Sequence, residues 1–141
     1  MLHKVVQLGG KSYFWLEKTN VVSMIQEYQV SGFRVREYEE LGSTNTETER
    51  VGWNELEDKM VILTYRQTQG RGQVGNHWES EPGKNISMTV VFKPRELPAG
   101  QQFAVSMVIA LGACDFISRY VNECSVKWPN DIYVGDRKIS G

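Results

Sequence analysis

The chain has 141 residues, 40% hydrophobic and 23% charged, with a net charge of -1; this predicts one globular domain with its own core and excludes the basic footprint that nucleic-acid binding requires. Its two cysteines, Cys114 and Cys124, sit in no C-x-x-C pair and in no Cys/His cluster, which excludes a zinc cluster and a disulfide framework and predicts reduced thiols. No apolar run reaches the length of a signal peptide core or a membrane span, so a soluble, cytoplasmic protein is expected.

In chain order, residues 1–31 carry the weakest signal. "VVQLGGKSYFWLE" predicts a hairpin around Gly9-Gly10, and "NVVSMIQEY" one or two helical turns. The segment is read as an N-terminal extension of unassigned role, ahead of a domain over 32–141. From Phe33, "FRVREYEEL" opens with the alternation of a half-buried strand. Thr44-Asn45-Thr46-Glu47 then has the pattern of a capping box, predicting a short helix. "MVILTYR" is a compact apolar run, the signature of a buried strand, and it leads straight into a glycine-rich segment.

After that segment, "NISMTVVF" puts Ile86, Met88, Val90 and Phe92 on one face of a strand and Ser87, Thr89 and Val91 on the other. "KPRELPAGQ" breaks it. "QQFAVSMVIALGACDFISRYV" is apolar nearly all round, predicting a long helix buried on more than one side and packed on the sheet. "CSVKWPNDIYVGDRKIS" predicts two strands joined at Gly135-Asp136, where glycine at the first turn position suits a type II′ hairpin.

The glycine-rich segment "GRGQVG" has the G-x-G-x-x-G spacing of a dinucleotide fingerprint, but the context fails. That fingerprint must open a helix and be followed about 20 residues on by an acidic ribose ligand. Here Asn76-His77-Trp78 and "ESEPG" follow, a polar stretch with two strong breakers. What remains is a flexible loop whose Gly70, Gly72 and Gly75 let the backbone approach an anion, with Arg71 offering a planar fork. On its own it reads equally well as a surface loop with an incidental arginine, and nothing in the sequence pairs with His77.

The loop is accompanied by other words in a fixed order: "STN" at 43–45, "QTQGRG" at 67–72, Trp78, "KWPND" at 127–131 and "RKISG" at 137–141. Together these resemble the catalytic domain of biotin protein ligases, from about Phe33 to Gly141. The resemblance implies an α+β fold, a mixed and mostly antiparallel sheet with helices packed on one face, like that of class II aminoacyl-tRNA synthetases and biotin/lipoate ligases. It implies ATP-dependent activation of biotin to biotinyl-5′-AMP and transfer to a lysine of a biotin carboxyl carrier protein. Two anions and a phosphoryl transition state call for cations and backbone N–H groups more than for a nucleophile.

Residue by residue, the resemblance makes Ser43, Thr44, Asn45, Gln67, Arg71, Gly72, Gln73 and Lys138 biotin-binding. Gly70, Gly75, Trp78, Lys127, Asn130 and Asp131 fall to ATP, Arg71 and Lys138 to catalysis, and Asn130 and Asp131 to Mg²⁺. Arg71 and Lys138 are expected to converge on the biotin carboxylate. Residue chemistry alone leaves other readings open. Ser, Thr and Asn are helix-capping residues, Trp78 packs as aromatics do, Pro129-Asn130-Asp131 is turn chemistry, and a lysine beside a hairpin turn is a solvated charge.

Two departures from the family pattern stand out. Gln73 and Asn76 occupy the places of the second and third arginines of many relatives, which predicts looser retention of the adenylate. The later strands and the SH3-like barrel that follow "KxxG" in relatives do not follow here, so an incomplete catalytic domain is expected, with an unpaired sheet edge that invites self-association or a homodimer. The competing readings are a lipoate or octanoate ligase of the same superfamily and a non-catalytic protein that binds biotin or biotinyl-AMP.

Overall fold

The computed structural model describes residues 4–8, 11–15, 25–72 and 76–141. Two compact units divide the chain, Met1–Lys93 and Pro94–Gly141. In the first, a six-stranded sheet has the order β1-β2-β3-β4-β5-β8. Its strands are β1 (Lys4–Leu8), β2 (Lys11–Trp15), β3 (Ile25–Val30), β4 (Phe33–Tyr38), β5 (Met60–Thr64) and β8 (Ser87–Val90). Every pairing is antiparallel except β4 with β5, which is parallel, from Arg34↔Met60 to Tyr38↔Thr64. The crossover between those two carries helix α1 (Thr44–Val51), because parallel neighbours cannot be joined by a tight turn.

The predicted hairpin near the N-terminus is the β1–β2 pair, Lys4↔Trp15 to Leu8↔Lys11; its turn at Gly9-Gly10 lies outside the described residues. The helical turns expected in "NVVSMIQEY" are not formed at its described end, since Ile25 onward is β3. Non-local contacts explain the difference. Glu27 on β3 is held by two guanidiniums of β4, Arg34 Nη2 at 2.6 Å and Arg36 Nε at 2.9 Å.

Burial pushes the Glu27 carboxyl up, but the hydrogen bonds and charges of Arg36 and Arg34 outweigh it and hold the group below its ordinary value. A depressed carboxylate contributes stability above its unfolded pKa, and that stability is lost as pH falls through the folded value. Unfolding in urea, followed from about pH 7 to about pH 3, is therefore expected to show a shallower acid limb for Glu27→Gln than for the parent. Parallel limbs would remove Glu27 from the account.

Strand β5 is buried throughout and divides its side chains by period two between the faces of the sheet. Met60 and Ile62 join Tyr38, Leu56 and Val91 in one cluster, against which Val51 of α1 packs. Val61 and Leu63 join Val35 in a second. On β8 the buried side is the one that carries Val91, while Ile86, Met88 and Phe92 are left exposed by the unit.

The helix predicted from the capping box exists, one residue out of register. Ser43 is its N-cap, and no side chain caps it. Glu47 does not reach back to the amino end; its Oε1 accepts from Tyr38 Oη at 2.9 Å and from Arg50 Nη2 at 2.7 Å. This buried carboxylate, with the desolvation of the ring as the larger cause, pushes the Tyr38 hydroxyl far above its ordinary pKa, so the phenol stays a donor that ties α1 to β4.

The second unit contains helix α2 (Gln102–Ile117) and a three-stranded antiparallel sheet, β9 (Cys124–Lys127), β10 (Asp131–Val134) and β11 (Arg137–Ser140), in the order β11-β10-β9. Where two strands were expected there are three, because Trp128-Pro129-Asn130 forms a turn within "CSVKWPNDIYV". Gly135 has φ 54° and Asp136 does not share the positive φ, the pattern of the expected type II′ turn. The burial of α2 on more than one side is not met within its unit: Ala110 is buried, while Val108, Ile109, Leu111 and Phe116 remain exposed.

Candidate functional site

The parallel pairing of β4 and β5 brings their carboxyl ends side by side, and the residues beyond them stay paired. Leu41 bridges Gln67, Thr68 N donates to Leu41 O at 2.9 Å, and Gln69 N donates to Gly42 O at 2.6 Å. This ladder sets "STN" against the "QTQGRG" word. Thr44 N donates to Gln67 Oε1 at 3.0 Å, with the Thr44 hydroxyl 3.4 Å from the same oxygen. A backbone N–H can only donate, so the amide orientation of Gln67 is fixed and its N–H₂ is turned away from α1.

A third strand completes the cluster. Thr89 Oγ1, on β8, is 2.7 Å from Asn45 Oδ1 and 3.0 Å from Thr44 Oγ1. A hydroxyl has one proton. Given to the shorter bond, it satisfies the Asn45 carbonyl, with the Thr44 oxygen as the alternative acceptor. Ser43 and Thr44 are buried and Asn45 is exposed. The cluster thus engages the acceptor oxygens of Gln67 and Asn45, and Gln67 Nε2 lies on the Gly70 side of its amide. Thr89 was not among the residues the sequence singled out, because its place beside Thr44 and Asn45 follows from the β5–β8 pairing.

The glycine-rich loop begins as a two-stranded ladder, β6 (Gly70–Arg71) with β7 (His77–Trp78), closed by Gly72 N donating to Asn76 O at 2.7 Å. Glycine is obligatory at position 70. A methyl there would strike the Trp78 carbonyl oxygen and stand 2.7 Å from Gln67 Nε2. Gln69, Gly70, Arg71, Gly72, Asn76 and His77 line an open hollow of 350 Å³, and Gln67 and Trp78 line its neighbour. Arg71 projects from the ladder and pairs with Glu49 of α1 at 3.2 Å, both half exposed, a contact an anionic ligand can displace at little cost. Gln73 and Gly75 lie outside the described residues.

In the second unit, β10 and β11 pair with an irregularity: Ile132 faces Ser140 and Tyr133 faces Lys138, leaving Ile139 as the extra residue. Such a bulge re-aims neighbouring side chains. Lys138 Nζ lies 2.8 Å from Asp131 Oδ1. Asn130 adjoins that carboxylate at the end of the turn, and Lys127, opposite Asp131 on β9, places its ammonium 5.5 Å from the Tyr133 ring centre. Among the described residues no group of three or more His, Cys, Asp or Glu could hold a metal ion. At Asn130-Asp131 the donor set is one carboxylate and one amide, which suits Mg²⁺ if phosphate oxygens and water supply the rest.

The structure thus gathers Ser43, Thr44, Asn45 and Gln67 into one cluster and Asp131 and Lys138 into another, with Gly70, Arg71, Gly72 and Trp78 on the ladder beside the first. Among the described residues no helix is long and apolar enough to cross a membrane.

Comparison with known proteins shows the family. Residues 38–141 match the biotin/lipoate A/B protein ligase family. The chain is 29% identical over 140 residues to the bifunctional ligase/repressor BirA of Escherichia coli, an alignment covering 97% of this chain and 43% of that protein. It is 27% identical over 105 residues to the biotin acetyl-CoA-carboxylase ligase of Mycobacterium tuberculosis, covering 71% of this chain and 40% of the relative. Among solved structures, the biotin acetyl coenzyme A carboxylase synthetase of Helicobacter pylori, with bound biotinylated ATP, aligns with a TM-score of 0.58 at 28% identity, over 74% of this chain and 51% of that one. The chain therefore spans about half, or less, of the length of these relatives. The expected mixed, mostly antiparallel sheet is found, with two α-helices among the described residues, and the chain has the catalytic fold of a biotin ligase. By the extent of the match and by its fold, the chain belongs to the biotin/lipoate A/B protein ligase family.

Proposed function

We propose that this chain carries biotin-ligase chemistry: activation of biotin by ATP and transfer of the biotinyl group to a lysine of a carboxyl carrier protein. The observation that carries this reading is the Thr44–Gln67–Thr89–Asn45 cluster. Its side-chain amides and hydroxyls, which can both donate and accept, suit the carbonyl acceptor and N–H donors of a ureido ring. The dithiolane of lipoate has no such acceptor, so the cluster favours biotin.

In the first step a carboxylate oxygen of biotin attacks the α-phosphorus of ATP, forming the acyl–phosphate bond as the bond to pyrophosphate breaks. In the second, a lysine amine of the carrier attacks the acyl carbon and AMP departs. Arg71 and Lys138 supply positive charge to the carboxylate and then to the transferring phosphoryl group, a role for fixed cations. Trp78 offers a flat face to the adenine. Gly70 and Gly72 let the loop backbone approach the adenylate, and Gln73 and Gly75 belong to the same loop. Lys127 would meet ATP phosphates, and Asn130 and Asp131 would hold Mg²⁺, which supplies charge neutralisation when bound.

Biotin-dependent exchange of labelled pyrophosphate into ATP tests the reading, with this chain and with any longer protein that contains it. Exchange supported by lipoate but not by biotin transfers the assignment to the neighbouring activity, and biotin binding without exchange leaves a binding protein. A Thr89→Val variant is expected to raise the biotin KM about tenfold with kcat little changed. It removes hydrogen bonds worth about 1 to 1.5 kcal/mol that order the ground-state contacts. An unchanged KM would separate Thr89 from recognition.

A further inference from the structure

We propose that Cys114 and Cys124 are a modification site, a thiol pair that closes into a reversible intrachain disulfide by exchange with small-molecule disulfides. The two are ten positions apart in the chain, yet their sulfurs are 3.2 Å apart. A disulfide needs about 2.05 Å, so closure asks for an approach of about 1.2 Å.

Hydrogen bonds order the backbone around both cysteines. Cys114 lies in the last turn of α2, where the Ser118 N–H and hydroxyl both donate to its carbonyl oxygen, at 2.9 and 2.8 Å. The following turn is closed by Tyr120 N to Ile117 O at 2.9 Å. At the other end, Gly135 N donates to Glu123 O at 3.2 Å and fixes the residue before Cys124, the first of β9. Both cysteines are free and partly exposed, so a small disulfide can reach them. Hydrogen bonding to Cys124 pushes the Cys114 thiol up from its ordinary value, which slows unassisted attack and leaves proximity as the driving term.

The chemistry balances as two exchanges. One cysteine thiolate attacks a sulfur of oxidised glutathione, forming a mixed disulfide and releasing one glutathione thiolate. The second cysteine then attacks the protein sulfur of that mixed disulfide, forming the Cys114–Cys124 bond and releasing the second glutathione. Two protein thiols are oxidised and one glutathione disulfide is reduced. The product would join the end of α2 to the strand that leads, three residues later, to Lys127.

The test uses the whole chain, reduced with a phosphine, freed of it, and equilibrated without oxygen in mixtures of reduced and oxidised glutathione. Acid quenching, alkylation of remaining thiols, intact mass and peptide mapping then read the outcome. The expected product is a monomer that takes up no alkyl group, whose Cys114 and Cys124 peptides are linked, and which dithiothreitol returns to two alkylated thiols. With total glutathione near about 0.1 mM and an effective thiol concentration in the millimolar range, it should carry at least about tenfold less mixed disulfide than Cys114→Ser or Cys124→Ser. Alkylation of both thiols at every ratio, stable glutathione on both, or linkage between chains would each overturn the proposal.

Discussion

On the proposed ligase reading, a Lys138→Gln variant is expected to slow biotin-dependent pyrophosphate exchange by about 100- to 1,000-fold, the cost of removing one preorganised charge from a developing anion. The residue sits on β11 next to the extra residue Ile139, and its ammonium is 2.8 Å from Asp131. Glutamine keeps length and hydrogen-bonding capacity but not charge, so a loss larger than that of a surface ion pair must come from the reaction. A partly exposed pair of this kind contributes about 0 to 1 kcal/mol to stability, and the melting temperature should barely move. Lys138→Arg, which keeps the charge with a different fork, is expected to recover part of the rate. Exchange within about threefold of the parent in Lys138→Gln would remove this lysine from the chemistry.

The second large effect concerns the fold. Ile62→Ala will cost about 2 to 5 kcal/mol of unfolding free energy, a large share of the roughly 5 to 15 kcal/mol available to a domain. Ile62 is fully buried at the centre of β5, among Tyr38, Leu56, Met60 and Val91, with a parallel neighbour on one side and an antiparallel one on the other. The cavity cannot collapse without moving one of those strands. Urea unfolding followed by tryptophan fluorescence measures the loss. Ile62→Val, which removes one methylene, sets the scale at about 0.5 to 1.5 kcal/mol. Equal losses for the two variants would show that the site repacks and that β5 is not a rigid member of the sheet. Because Gln67 follows β5 by three residues, biotin affinity should fall with stability in Ile62→Ala and not in Ile62→Val.

Strands whose signal is local were legible in the sequence. "MVILT" reads as buried because every residue is apolar or small, and β5 is buried at every position. The alternation in "FRVREY" and "NISMTVVF" likewise marks β4 and β8. β3 was obscured because its stabilising contacts, Glu27 to Arg34 and Arg36, come from the next strand and are invisible in a window around residue 27. The helix start was displaced by one residue because Glu47 spends its carboxylate on Tyr38 and Arg50 instead of on the helix amino end. β6 and β7, two residues each, are too short to carry periodicity. In the candidate site, the words named the residues, while Thr89 as the bridge between Thr44 and Asn45 emerged from the sheet register alone.

The parallel alignment of β4 and β5 also decides what in this half of the protein is free to drift. Because rungs continue past both strand ends to Gly42 and Gln69, the gap between the segments that carry "STN" and "QTQGRG" is one inter-strand repeat, about 4.8 Å, whatever the length of chain that connects them. The return segment over 52–59 enters β5 from its opposite end, its exposed Trp53 held by Lys93, whose Nζ donates to the Trp53 carbonyl at 2.8 Å. The spacing of the two segments is thereby gauged by the backbone ladder.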